Sequence, residues 1–353
     1  MSDEDFDKPQ RADDHHGDPN RVLNAVSNAV AAIRADDDQL ELAKVHESLH
    51  PKAIEKLEPA DARLQPTAAD AVKALLEQQG RPTDPEQLIP GVRAVDTTLQ
   101  GTTGSLPARV FTPAGAGPFP VIVYFHGGGW VIADKSVYDA GARGLAAQAQ
   151  AVVVSVDYRL APEHRFPAAW DDALAAYRWV LENAASLHGD PARIALDGES
   201  AGGNLAVATA IAARDAGLPM PVHILSVYPL TQTSVNTESY LENAIAKPLN
   251  RAMVKWFLGH LVRSDEDLKD PRLQLIDANL KGLPPVTLIN ARLDPLRSDG
   301  AKLFDALEDA AVQVERREYE GVAHEFFGGA AVLQKARDAQ AYAGERLRES
   351  FGN

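Results

Sequence analysis

A largely parallel β-sheet covered by helices on both faces, an α/β architecture, is the fold class this sequence predicts. Three observations carry that expectation. From about Val92 short β-branched runs alternate with alanine-rich helical stretches. Runs such as VIVYF and VVVSV are apolar at nearly every position, as strands covered on both faces require. The chain of 353 residues is long enough to bury a sizeable core.

The first twenty residues are acidic, polar and almost free of aliphatic side chains, so they cannot offset the entropy of ordering and are expected to form a disordered tail. Asp18 can then cap and Pro19 open a helix on which Val22, Leu23, Val26, Val30 and Ile33 share a face, with the run Asp36, Asp37, Asp38 expected as its end. A second helix is predicted over 68–79, where Ala68, Val72, Leu75 and Leu76 recur at helical spacing and Gly80 with Pro82 stops it. Eight strands follow, at 92–99, 108–112, 120–125, 151–156, 193–197, 223–227, 286–290 and 312–319. Between them lie helical stretches that include 170–183, 204–215, 298–309 and 333–349. The stretch 231–263 is too long for a simple connection and carries a stripe of Met253, Trp256, Phe257 and Leu261. It reads as an insertion that, together with residues 21–90, builds a small helical cap over the carboxyl edge of the sheet, where ligands bind in open α/β sheets. The α/β domain is then made of 91–230 and 264–353. Tyr240, Trp256 and Phe257 are expected either to line a pocket or to form the cap's own core.

Fifty acidic against thirty-five basic side chains give a net charge of −15, which repels phosphate backbones and anionic membranes, so neither nucleic acid nor membrane is an expected partner. No apolar run approaches the ~20 residues needed to span a bilayer. The absence of cysteine excludes disulfides, a thiolate nucleophile and cysteine-based zinc sites. His15 and His16 beside Asp13 and Asp14 lack zinc spacing, and no metal is expected there. The acidic start has neither the basic nor the apolar segment of a secretory signal, so cytoplasmic residence is the expectation.

The chemistry-bearing signal is Gly198-Glu199-Ser200-Ala201-Gly202, placed directly after the strand RIAL and before a helix rich in small residues. A G-x-S-x-G turn in this setting exposes its serine at the top of a sheet. A serine hydroxyl is a poor nucleophile at neutral pH and needs a base, which in turn needs an orienting group. Asp294, just beyond the strand VTLIN, and His324, just beyond the last strand, supply both types, and the chain order Ser, Asp, His is that of an α/β-hydrolase. Asp299 competes with Asp294, but its place in the first turn of a helix reads as that of a solvated acid. The loop His126-Gly127-Gly128-Gly129-Trp130 follows another strand and offers unobstructed N–H groups; Gly127, Gly128 and Ala201 are the candidate oxyanion donors.

Five segments, HGGGW at 126–130, DYRLAPEHRFPAAWDD at 157–172, GESAGGN at 198–204, DPLRSDG at 294–300 and GVAHEFF at 321–327, together resemble the hormone-sensitive lipase family of α/β-hydrolases, in its bacterial esterase branch. The likeness covers roughly 99–329. It implies an eight-stranded, mostly parallel sheet with a helical cap, Ser200 as nucleophile, His324 as base, Asp294 as its orienting acid, and hydrolysis of small carboxylic esters of short to medium acyl chain without metal or organic cofactor. It also implies a possible homodimer through the last strand and helix. Two residues depart from the family pattern: Glu199, where Asp or Thr is usual, and Glu325, where Gly commonly follows the histidine. Glu199 either bonds to a buried partner or is simply accommodated. Tyr158, Pro162 and Glu163 match the family's signature and are expected to support the glycine loop. The same machinery serves an amidase, a lactonase or a deacetylase, and a non-catalytic small-molecule receptor would share the scaffold.

Overall fold

The computed structural model describes residues 34–352. The predicted acidic tail, the helix carrying Val22 to Ile33, and His15 and His16 lie outside the described residues.

One eight-stranded sheet organises the chain: β1 (Val92–Gln100), β2 (Ser105–Pro113), β3 (Phe119–Phe125), β4 (Val152–Val156), β5 (Gly189–Glu199), β6 (Ile224–Val227), β7 (Val286–Leu293) and β8 (Val314–Ala323). Their spatial order is β1-β2-β4-β3-β5-β6-β7-β8. The β1–β2 and β2–β4 pairs are antiparallel and every later pair is parallel. All eight predicted strands are present, each with one or both ends shifted. Among the described residues eight longer helices accompany them: α1 (Asp37–Ser48), α2 (Ala68–Gln78), α3 (Asp139–Ala149), α4 (Ala168–Asn183), α5 (Ala201–Asp215), α6 (Arg251–Leu261), α7 (Arg297–Asp309) and α8 (Gln334–Phe351).

Alternation along the strands divides the interior into two layers. Val121, Val123 and Phe125 of β3 pack with α4, α5 and α7, whereas Ile122 and Tyr124 pack with α3 and α8. Strands buried on both sides therefore read as continuous apolar runs.

The aspartate run is a correction. Expected as the end of a helix, Asp36, Asp37 and Asp38 stand instead at the start of α1, with Asp37 and Asp38 in its first turn, where the positive end of the helix dipole favours them. Leu42 and Val45, three residues apart, then bury one face of α1 beside Leu75 of α2. The insertion carries α6, whose start is fixed by the Asn250 side chain accepting from the Met253 N–H at 2.9 Å. Trp256 Nε1 donates to the Leu57 carbonyl at 3.1 Å, which ties α6 to the N-terminal segment.

Candidate active site

Strand β5 ends at Glu199 and α5 starts at Ala201, so Ser200 alone makes the turn, at φ 58° and ψ −117°. A non-glycine residue is strained in this region. Its N–H is held by the Val227 carbonyl at 2.8 Å. The flanking glycines are required by proximity: a Cβ on Gly198 would collide with the Gly202 carbonyl, and one on Gly202 with the Phe125 carbonyl.

Ser200 is 7% exposed, and its Oγ lies 3.0 Å from His324 Nε2. His324 Nδ1 lies 2.7 Å from Asp294 Oδ2. Because a carboxylate only accepts, Nδ1 carries the ring proton and Nε2 is free to accept from the serine hydroxyl. Asp294 is fixed in turn by the Leu296 N–H, which donates to Oδ1 at 2.8 Å. Burial opposes charging of His324, but the Asp294 carboxylate, its hydrogen bond, and the nearby Glu325 and Glu199 outweigh burial, so the imidazole titrates above its ordinary 6.5.

Asp299 corrects an expectation. It is not a solvated first-turn acid; it is fully buried, accepting from the Thr231 N–H at 3.1 Å and from Gln232 Nε2 at 3.0 Å. The segment following β6 folds over it, and burial pushes its carboxyl up to about 7. It does not bond to His324; Asp294 does.

Gly127 and Gly128 sit beyond β3 on a loop that the Tyr158 hydroxyl braces by donating to the His126 carbonyl at 2.8 Å. The Tyr158 ring stacks on that of His126 at 4.3 Å. Arg63 braces the next turn through the Val131 carbonyl (2.8 Å) and the Ala161 carbonyl (2.9 Å), and it pairs with Glu163 at 2.7 Å. No acceptor among the described residues takes the N–H of Gly127 or Gly128. Ala201 is the first residue of α5, a position whose N–H has no intrahelical acceptor. Gly128 adopts φ +95°, and a Cβ there would strike the Ile132 carbonyl.

Behind the elbow, Glu199 is 1% exposed and accepts from the hydroxyls of Tyr124 and Tyr228. The Tyr228 ring lies 4.5 Å from that of His324. Burial is the main cause that raises the Glu199 carboxyl, to about 7. Glu325 accepts from the Tyr138 hydroxyl at 2.9 Å. Sequence reasoning singled out both acids but not their tyrosine partners, which belong to β3, to the turn after β6 and to the start of α3.

A cleft of about 480 Å³ opens on Ser200 and His324, walled by Gly128, Ile132, Met253 and Phe257. Of the aromatic insertion residues, Phe257 lines it; Tyr240 is buried in the interior and Trp256 bonds to Leu57. Among the described residues no cluster of three metal-ligating side chains is found, and no helix is long and apolar enough to cross a membrane.

Residues 122–328 match the family model of the alpha/beta hydrolase fold. The chain is 42% identical over 280 residues to the carboxylesterase NlhH of Mycobacterium tuberculosis, covering 77% of this chain and 88% of that one. It is 33% identical to the ethyl acetate hydrolase of Pseudomonas putida, over 72% of this chain and 80% of the relative. Among solved structures, an esterase of Pyrobaculum calidifontis superposes with a TM-score of 0.77 at 32% identity, covering 86% of this chain and 97% of that one. The chain belongs to the hormone-sensitive lipase family of α/β-hydrolases, in its esterase branch.

Proposed function

We propose that this protein is a serine carboxylesterase that hydrolyses esters of short to medium acyl chain through an acyl-enzyme. The observation that carries this reading is the aligned pair of hydrogen bonds, 3.0 Å from Ser200 to His324 and 2.7 Å from His324 to Asp294, on a strained elbow. Ser200 Oγ attacks the ester carbonyl carbon while Nε2 of His324 takes its proton. Asp294 holds the ring in the required tautomer and stabilises the imidazolium. The carbonyl oxygen, now an anion, is received by the N–H groups of Gly127, Gly128 and Ala201. The C–O bond breaks, the imidazolium protonates the departing alcohol, and a water molecule activated by His324 releases the acid from Ser200. The helices of the insertion and the N-terminal segment act as a cap that walls the cleft. The cleft's modest volume and the ethyl acetate hydrolase among the relatives both favour small esters.

The test is a panel of p-nitrophenyl esters run beside the matching anilides. Esters from acetate to octanoate are expected to turn over, with the acyl group recovered on the Ser200 peptide by mass spectrometry of quenched enzyme. Preferential anilide cleavage would make it an amidase. Absence of turnover with ligand binding retained would make it a receptor.

A further inference from the structure

A second cavity, about 760 Å³, lies beside the cleft that opens on Ser200. Its lining is largely apolar, with Leu42, Val72, Leu76, Leu88 and Ile89 among its walls. That volume and character suit a small-molecule site. The two spaces share three residues, Ala68, Val137 and Glu325, so these form the partition between them. Glu325 is the residue next to His324 in the chain, and it occupies the left-handed region at φ 63°, a conformation that favours glycine. A strained acid persists where its surroundings hold it, and the hydrogen bond from Tyr138 at 2.9 Å does so here.

We infer that Glu325, locked by Tyr138, closes the Ser200 cleft off from the larger cavity and thereby sets the length of ester chain this protein accepts. The ligand for which that cavity is suited is the hydrocarbon chain of a long ester. The inference rests on the esterase reading and deepens it. With Glu325 in place, a chain seated on Ser200 must end within the smaller cleft. With the partition removed, further methylenes pass into an apolar space and each contributes to binding. Glu325→Gly is also the change that the backbone accommodates most readily at a positive φ, so the variant is expected to fold.

The test compares kcat/KM for p-nitrophenyl dodecanoate with that for p-nitrophenyl butyrate in the full chain. Burial of a methylene corresponds to roughly a fourfold gain, so Glu325→Gly is expected to raise the long-to-short ratio by about tenfold or more. Glu325→Gln keeps both the bulk and an acceptor for Tyr138, and its ratio is expected to stay with the wild type. Adding Ala140→Phe, which fills the larger cavity from α3, is expected to return the Glu325→Gly ratio to the wild-type value. An unchanged ratio in Glu325→Gly overturns the inference, whether the space is closed by other groups or already filled by other parts of the chain. An equal rise in Glu325→Gln overturns it too, because charge rather than closure would then be the cause. If the wild type hydrolyses neither ester, the esterase reading itself fails; if butyrate is hydrolysed and the ratio does not move, only the inference fails.

Discussion

The two sides of the turn at Ser200 are built by different means. In front, Ser200, His324 and Asp294 stand on three separate turns just past β5, β8 and β7, and backbone geometry aims each side chain. Behind, the Glu199 carboxylate is held, among the described residues, by the phenols of Tyr124 and Tyr228, which belong to the layer shared with α3 and α8. The front is a chain of hydrogen bonds running one way, from Ser200 to His324 to Asp294. The rear is a shared carboxylate, with one oxygen held by Tyr124 and the other by Tyr228. The first arrangement presents its groups to the cleft, whereas the second reaches His324 only through its field and through the Tyr228 ring beside it.

Removal of the proposed nucleophile should have the largest effect. Ser200→Ala is expected to lower kcat/KM for p-nitrophenyl acetate by around 10⁶ while leaving the circular dichroism spectrum unchanged. Asp294→Asn comes next, with a loss of about 10⁴, because an amide favours the wrong imidazole tautomer. Asp299→Asn provides the contrast: it is an equally buried acid on the same loop and helix, but it faces Thr231 and Gln232, so its turnover should stay near that of the wild type. A loss at Asp299 matching that at Asp294 would assign the orienting acid wrongly. Gly128→Ala forces a Cβ against the Ile132 carbonyl and moves a proposed oxyanion donor, for an expected loss of ~10² to 10³ in kcat.

The front of the site was legible in the sequence because its backbone constraints select residue types locally. Only small neighbours tolerate the approach of Gly198 to Gly202 or the positive φ of Gly128, so both turns left glycine-rich motifs. The strands were legible because burial on both faces leaves unbroken apolar runs such as Val152–Val156. The rear left no such trace. Tyr124 and Tyr228 are distant from Glu199 in the chain, and nothing in either local pattern distinguishes them from ordinary core aromatics. Asp299 was misread for a related reason: a first-turn acid is solvated only if nothing folds over it, and Thr231 and Gln232 do so from 68 and 67 residues away. Arg63 and Glu163, 100 residues apart, were equally invisible as a pair.

The smallest expected effect tests the rear layer. Burial holds the Glu199 carboxyl at about 7 in the folded protein, against an ordinary value of 4.5. Between those two values the folded state binds more protons than the unfolded state, so this group's contribution to stability is intact below about 4.5 and falls as pH rises through about 7. Glu199→Gln cannot ionise and escapes that loss. Its free energy of unfolding relative to the wild type, read by denaturant titration, should therefore rise with pH, reaching a gain of at most about 3 kcal/mol at pH 8 and none at pH 4 that is owed to ionisation. The same charge helps to raise His324. His324 must be neutral to accept the serine proton, so wild-type kcat/KM should fall as pH drops through a value above 6.5, and Glu199→Gln should shift that acid limb toward lower pH. A purely structural defect would lower turnover without moving the limb, whereas removal of a field acting on His324 moves the limb even where the maximum changes only a few-fold. A pH-independent stability difference together with an unmoved limb would reduce Glu199 to a packing residue.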